Sequence, residues 1–188
     1  MSTRLFVAVN PSAEVRHRLV EAARPLLASA YPIRWVVPEN IHLTLKFLGN
    51  VSDERVPEIA SAVDQAVLGA EPFEMSLVGF GAFPALRRPQ VVWVGVEANA
   101  VLQGLQERIE TGLAELRFPR ETRAFHPHLT LGRARKRSTV GQFKGLGDLL
   151  QGLRYRDASI VDAVDLMCSR LQPGGAVYDV VRSTSFET

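Results

Sequence analysis

The chain is poor in the residues that most often organise small proteins: it has one cysteine, four histidines and two tryptophans in 188 residues. A single thiol, Cys168, excludes an internal disulfide and any cysteine metal cluster. Also missing is a long hydrophobic run, since none approaches the ~20 residues of a membrane-spanning helix. The opening MSTRLFVAVNPSAE has too short an apolar stretch for a signal peptide and no small-residue cleavage site. Neither charge dominates, with 22 Lys and Arg against 20 Asp and Glu for a net +2. These absences point to a cytoplasmic protein in a reducing compartment, with no membrane partner. What is present is ordinary: 46% hydrophobic and 22% charged residues suit a soluble globular fold. A chain of this length forms one domain, or one domain with two lobes, around a full core.

The charge is unevenly placed. Arg117, Arg120, Arg123, Arg133, Arg135, Lys136 and Arg137 stand close together against Glu121 alone. Such a cluster attracts phosphates, and it serves equally well as a solvated loop surface.

Hydrophobic periodicity gives an outline of the fold. Leu5 to Val9 reads as a buried strand. Pro11 and Ser12 open a helix carrying Val15, Leu19, Ala22, Ala23 and Leu26, with Pro25 set to kink or end it. Ile41 to Leu48 is the next strand, closed by Gly49 and Asn50. Ser52 then caps a helix with Val56, Ile59, Val63 and Val67 on one face. Phe73 to Phe83 is strand-like but interrupted by Gly79, Gly81 and Pro84. The second half repeats the plan, with a strand from Val91 to Val96 and a helix on Leu102, Leu105, Ile109, Leu113 and Leu116. A strand from Phe125 to Leu131, a weaker helical stretch over 143–150 and late strands over 159–169 and 177–181 complete it. Phe6 aligns with Trp93 and His42 with His128, so His-Leu-Thr-Leu occurs twice, each time after a strand and a helix. That period is far too long for a solenoid. It predicts one domain, 1–188, built as two similar lobes from repeats of about 1–86 and 87–188, each a sheet with helices on one face.

On a strand the His and Thr of each tetrapeptide share one face and the two Leu the other. Leu43, Leu45, Leu129 and Leu131 then anchor the strands on their helices, while His42, Thr44, His128 and Thr130 converge if the lobes face each other. Two imidazoles supply a base and an acid near neutral pH. In-line phosphodiester cleavage needs that pair, and threonine hydroxyls can donate to the oxygens on which charge builds. Zinc is the rival use of two histidines, with His126 as a third nitrogen, yet no carboxylate or cysteine accompanies it. His17, on a helix among polar neighbours, reads as a surface residue.

The stretches RLFVAV, ENIHLTLKFLG, GFGAFP, VVWVGV, FHPHLTLGRAR and SRLQPGGAVYDVV resemble the 2H phosphoesterase superfamily. Their branch is that of the RNA 2′,3′-cyclic phosphodiesterases, also described as 2′-5′ RNA ligases, and they span nearly the whole chain in that family's order. The resemblance implies a bilobal α+β fold whose two antiparallel sheets flank a central cleft, with helices outside. It implies His42 as proton donor and His128 as proton acceptor, with Thr44 and Thr130 beside them, no metal and no cofactor. It points to Arg133 as a substrate-phosphate contact, although strand parity places Arg133 opposite His128 unless Gly132 allows a bulge. The implied substrates are RNA ends with a 2′,3′-cyclic phosphate, tRNA fragments among them, acted on by a monomer. Reversal with a 5′-hydroxyl RNA would make a 2′-5′ linkage. Phe47 and Trp35 each suit base stacking, though a core position suits both better. Two other readings stand beside this one: an esterase for cyclic mononucleotides or ADP-ribose cyclic phosphates, and an RNA-binding module without turnover.

Overall fold

The structure, a computed structural model, describes residues 1–172 and 175–187. Pro173 and Gly174 of the SRLQPGGAVYDVV stretch lie outside the described residues. Strand β1 (Ser2–Val9) leads into α1 (Ala13–Ala22), whose first turn is capped by the Ser12 hydroxyl accepting from the Val15 amide. Pro25 does end this helix, and a separate turn, α2 (Arg24–Leu27), restarts with the proline inside its first turn, where no amide is needed. Strand β2 (Ile33–Trp35) has only three residues, too few for a periodic signal. Strand β3 (Leu43–Ser52) runs through Gly49 and Asn50 and takes in Ser52. Ser52 therefore does not cap α3 (Val56–Val67), which follows a single 3₁₀ turn and has no side-chain cap.

Strand β4 (Phe73–Ala85) is continuous where breaks were expected. Its partner's register shifts at Gly79 and at Pro84 instead, so these residues make bulges within the strand. Strand β5 (Arg88–Val96) and α4 (Ala100–Glu115, capped by Asn99) fall where the pattern predicts. Strand β6 (His128–Ala134) starts three residues later than expected, after Pro127, and is followed by α5 (Leu146–Gly152). The late strand over 159–169 is in fact two, β7 (Arg156–Val161) and β8 (Ala163–Gln172), parted at Asp162. Strand β9 (Gly175–Ser185) closes the fold.

All strand pairings are antiparallel, in the order β7-β4-β5-β6-β3-β1-β8-β9, with β2 added to β6. The two sheets expected are the two halves of this one. Among the described residues they meet only at the pair Leu43–Leu129 between β3 and β6, the central positions of the repeated tetrapeptides. Helices α3 and α4 pack on each other, α4 against β3 and α3 against β8 and β9; α5 lies against β4. The main core joins Leu5, Val7, Leu43 and Leu45 to Ile59, Val63, Leu105 and Ile109, and extends across the join to Leu129 and Leu131.

The register relates the halves more closely than the sequence does. Ala8 pairs with Thr44 as Trp93 pairs with Thr130, and Phe6 with Phe47 as Val91 with Arg133. The equivalent of Trp93 is therefore Ala8 and not Phe6, a slip of two residues that leaves the face unchanged. In both strands the second leucine of the tetrapeptide, Leu45 or Leu131, is skipped in the pairing. Each is a β-bulge, with the following residue (Lys46 or Gly132) buried too.

Candidate active site

Each tetrapeptide histidine is held in the same way. His42 lies just outside the start of β3, with its Nδ1 2.7 Å from the carbonyl oxygen of Asn40. His128 opens β6, with its Nδ1 2.7 Å from the carbonyl oxygen of His126. A carbonyl only accepts, so Nδ1 carries the proton in both rings and Nε2 is left as the exchanging nitrogen. The backbone before each histidine is kept short and turned by a proline, Pro38 opening the 3₁₀ turn that ends at Asn40, and Pro127. Behind His42, Arg16 donates from Nε to the Ile41 carbonyl at 2.9 Å and from its terminal nitrogen to Asn10 at 2.9 Å. Asn10 in turn donates to Asp165 at 2.6 Å. This chain ties α1, β1 and β8 to the residue next to the ring.

Aromatic rings wall both histidines. Phe6 lies 4.8 Å from the His42 ring and Tyr178 meets it edge-on at 5.2 Å. Phe83 meets His128 edge-on at 5.1 Å, and Trp93 lies 6.4 Å away. Trp93 fits because Gly81 beneath it has no side chain, since a Cβ there would stand 2.3 Å from the indole. A cavity of ≈ 570 Å³ opens between the halves, lined by His42, Thr44, Thr130 and Arg133 among others. His128 is not part of that lining, yet its charge acts on His42.

The bulge at Leu131 answers the parity problem of Arg133. Val91 and Trp93 share a face of β5, so their partners Arg133 and Thr130 share a face of β6. Arg133 accordingly lines the cleft, and its charge acts on both histidines. The matching bulge at Leu45 brings Phe47 to the equivalent place in the other half. Phe47 is 57% exposed and lines the cleft, which corrects its expected core position. Trp35 does pack against both core clusters, although one side of it reaches the cleft. Arg4, Arg34 and Tyr178 also line the cleft and were not singled out by the sequence, although Arg4 and Tyr178 lie in the stretches that carry the resemblance. Of the basic run, Arg133 alone belongs to the lining; Arg117, Arg120 and Arg123 are exposed on the segment between α4 and β6. His17 is exposed on α1.

Electrostatics favour neutral imidazoles in the free protein. Burial pushes His42 down from 6.5 to about 4, against the opposing pull of the Asn40 carbonyl. The positive charges of Arg16, Arg133 and His128 add to the lowering. His128 is lowered also, by burial first and then by Arg133 and His126. Among the described residues the lining holds three arginines and no Asp or Glu, so the cleft is set to receive an anion. Among the same residues no three His, Cys, Asp or Glu side chains come together as metal ligands, and His126 is exposed.

The chain belongs to the LigT like phosphoesterase family, whose pattern matches twice, over residues 9–93 and 94–178. It is 33% identical over 178 residues to the RNA 2′,3′-cyclic phosphodiesterase of Methanothermobacter thermautotrophicus, covering 95% of this chain and 96% of that one. Among solved structures it is similar to a protein of Thermus thermophilus, with a TM-score of 0.81, 30% identity and 97% of each chain covered. It is also similar to Escherichia coli LigT complexed with 3′-AMP, with a TM-score of 0.78, 25% identity and 100% of each chain covered. No helix of the described residues is long and apolar enough to cross a membrane.

Proposed function

We propose that the chain hydrolyses RNA 2′,3′-cyclic phosphate ends to 2′-phosphomonoesters, with His42 and His128 as its acid–base pair and without a cofactor. The observation that carries this reading is the cleft itself. His42 lines a cavity whose described lining has three arginines and no carboxylate, and His128, whose Nε2 is freed by the same backbone tie, stands near enough for its charge to act on His42. The relatives' name, RNA 2′,3′-cyclic phosphodiesterase, supports the substrate class.

In this reading the neutral His128 takes a proton from water as the water oxygen attacks phosphorus. The P–O3′ bond breaks, and His42 gives its proton to the departing 3′ oxygen. Thr44 and Thr130 donate to the non-bridging oxygens, and Arg133 pairs with them through its planar fork. Phe47, exposed on the opposite wall, offers a face for the terminal base. Water and the 5′-hydroxyl of a second RNA are interchangeable nucleophiles here, so the reverse step joins ends through a 2′-5′ linkage. The protein acts as a monomer in this reading, with tRNA fragments within its substrate range.

His42 is a weak base in the free protein, yet it has to be protonated when the reaction starts. A bound phosphate supplies the remedy: its negative charge offsets Arg133 and Arg16 and lifts the His42 pKa as substrate enters. The test uses short RNA with a 2′,3′-cyclic phosphate end, assayed with EDTA present. Wild-type protein is expected to turn it over, and His42→Ala and His128→Ala each to lose orders of magnitude in rate. Thr44→Val and Thr130→Val are expected to lose about 10²–10³ each. Turnover that vanishes with EDTA, or a histidine variant with near-wild-type rate, overturns the mechanism.

A further inference from the structure

Several arginines outside the cleft are paired with carboxylates, among them Arg18 with Asp157, Arg55 with Glu58, Arg156 with Glu97 and Arg182 with Asp64. Arg34 and Arg133 have none among the described residues. They are direct cross-strand partners, Arg34 on β2 opposite Arg133 on β6. Directly opposed residues share a face with Cβ atoms about 5 Å apart, and like charges so placed repel. Both line the same cavity, in whose described lining no Asp or Glu stands to relieve them. Strand β2 is held tightly in this place. The Val36 amide donates to the Leu131 carbonyl at 2.8 Å and the Arg135 amide to the Pro32 carbonyl at 2.8 Å. Gly132 leaves room beneath for Ile33 and Trp35, both within 2.6 Å of where its Cβ would be. A fixed pair of like charges facing a cavity calls for an anion with more than one negative centre.

We infer that Arg34 is the contact for the phosphodiester on the 5′ side of the terminal nucleotide, beside Arg133 on the reacting phosphate. This rests on the hydrolase reading above and deepens it: the two guanidinium groups span consecutive phosphates of one strand. Arg34 then makes the site prefer an RNA end to a cyclic mononucleotide, which has no such second phosphate. It touches no reacting atom in this arrangement, so it sets affinity for the polymer and leaves the chemistry alone.

The test compares kcat/KM on a short RNA with a 2′,3′-cyclic phosphate end and on 2′,3′-cyclic AMP, for wild type, Arg34→Ala and Arg34→Lys. Arg34→Ala is expected to lose about tenfold on the RNA, through KM, because one charge-assisted contact is gone. Its loss on the cyclic mononucleotide, which has no second phosphate, is expected to be clearly smaller than its loss on the RNA. The slope of log kcat/KM against log salt on the RNA should become shallower by about 0.7, the value for one phosphate contact on a single strand. Arg34→Lys keeps the charge and should keep the slope. Equal losses on both substrates, or no loss on the RNA, overturn the inference. Failure of the wild type to turn over either substrate overturns the hydrolase reading itself.

Discussion

An imidazole whose Nδ1 proton is tied to a carbonyl exchanges protons through Nε2 alone, so burial and neighbouring charge decide at what pH it does so. Arg133 lowers both histidines, and removing that charge must therefore raise both. An NMR titration should find His42 with a midpoint near 4, moving upward in Arg133→Gln, with His128 moving the same way. A midpoint unchanged by the substitution would remove Arg133 from the neighbourhood of the rings. The same lowering links to stability. Below pH 6.5 the unfolded chain takes up protons that the fold resists. Stability from these two residues is therefore present above that pH and lost as pH falls toward the folded value, about 4 for His42. The placing of His42, Thr44 and Thr130 on one cleft was legible from the repeated tetrapeptide together with the family resemblance, because a two-residue period puts His and Thr on one face. Arg133 and Phe47 were not, because a bulge leaves that period at Leu131 and Leu45, and only Gly132 hints at it.

At the next scale the two bulged strands reach the same geometry with different support. Gly132 leaves space that Ile33 and Trp35 of β2 fill. Its counterpart Lys46 extends into the core, where Nζ meets Glu110 at 2.5 Å. Glu110 also accepts from Gln106 at 3.3 Å and from the Glu121 amide at 3.2 Å, so the pair is buried with its hydrogen bonds met. Such a pair fixes geometry more than it adds stability. Lys46→Met strands a carboxylate and should cost about 3–5 kcal/mol in denaturant unfolding, while Lys46→Met with Glu110→Leu should recover most of that. Recovery failing in the double variant would mean that the charge pair itself, and not the stranded partner, matters. Amphipathic helices such as α3 and α4 were readable because each buries a regular stripe. Strand β2 and the division of β7 from β8 at Asp162 were not: three residues carry no period, and a change of sheet half leaves alternation intact.

Across the whole molecule, the repeats do not coincide with the halves of the sheet. β4, from the first repeat, pairs with β5, and β8 from the second pairs with β1. Each repeat thus lends strands to the other, β2 and β4 in one direction and β8 and β9 in the other. A chain cut at 86/87, in the hairpin between β4 and β5, should give two fragments that lack cooperative unfolding alone and regain it when mixed. Cooperative melting of an isolated fragment by circular dichroism would show that exchange is not needed for folding. The exchange leaves a waist of one residue pair, Leu43 with Leu129, about which the two halves are nearly interchangeable. A cleft built on such repeats takes an equivalent threonine from each half, Thr44 and Thr130, and these give it no direction. Phe47 and Arg133 break the tie by occupying equivalent positions with unlike chemistry, a ring on one wall and a guanidinium on the other. In the proposed function a nucleotide satisfies both in one orientation, base to ring and phosphate to cation. In the proposed reaction, that asymmetry selects which of two neighbouring ester bonds is opened.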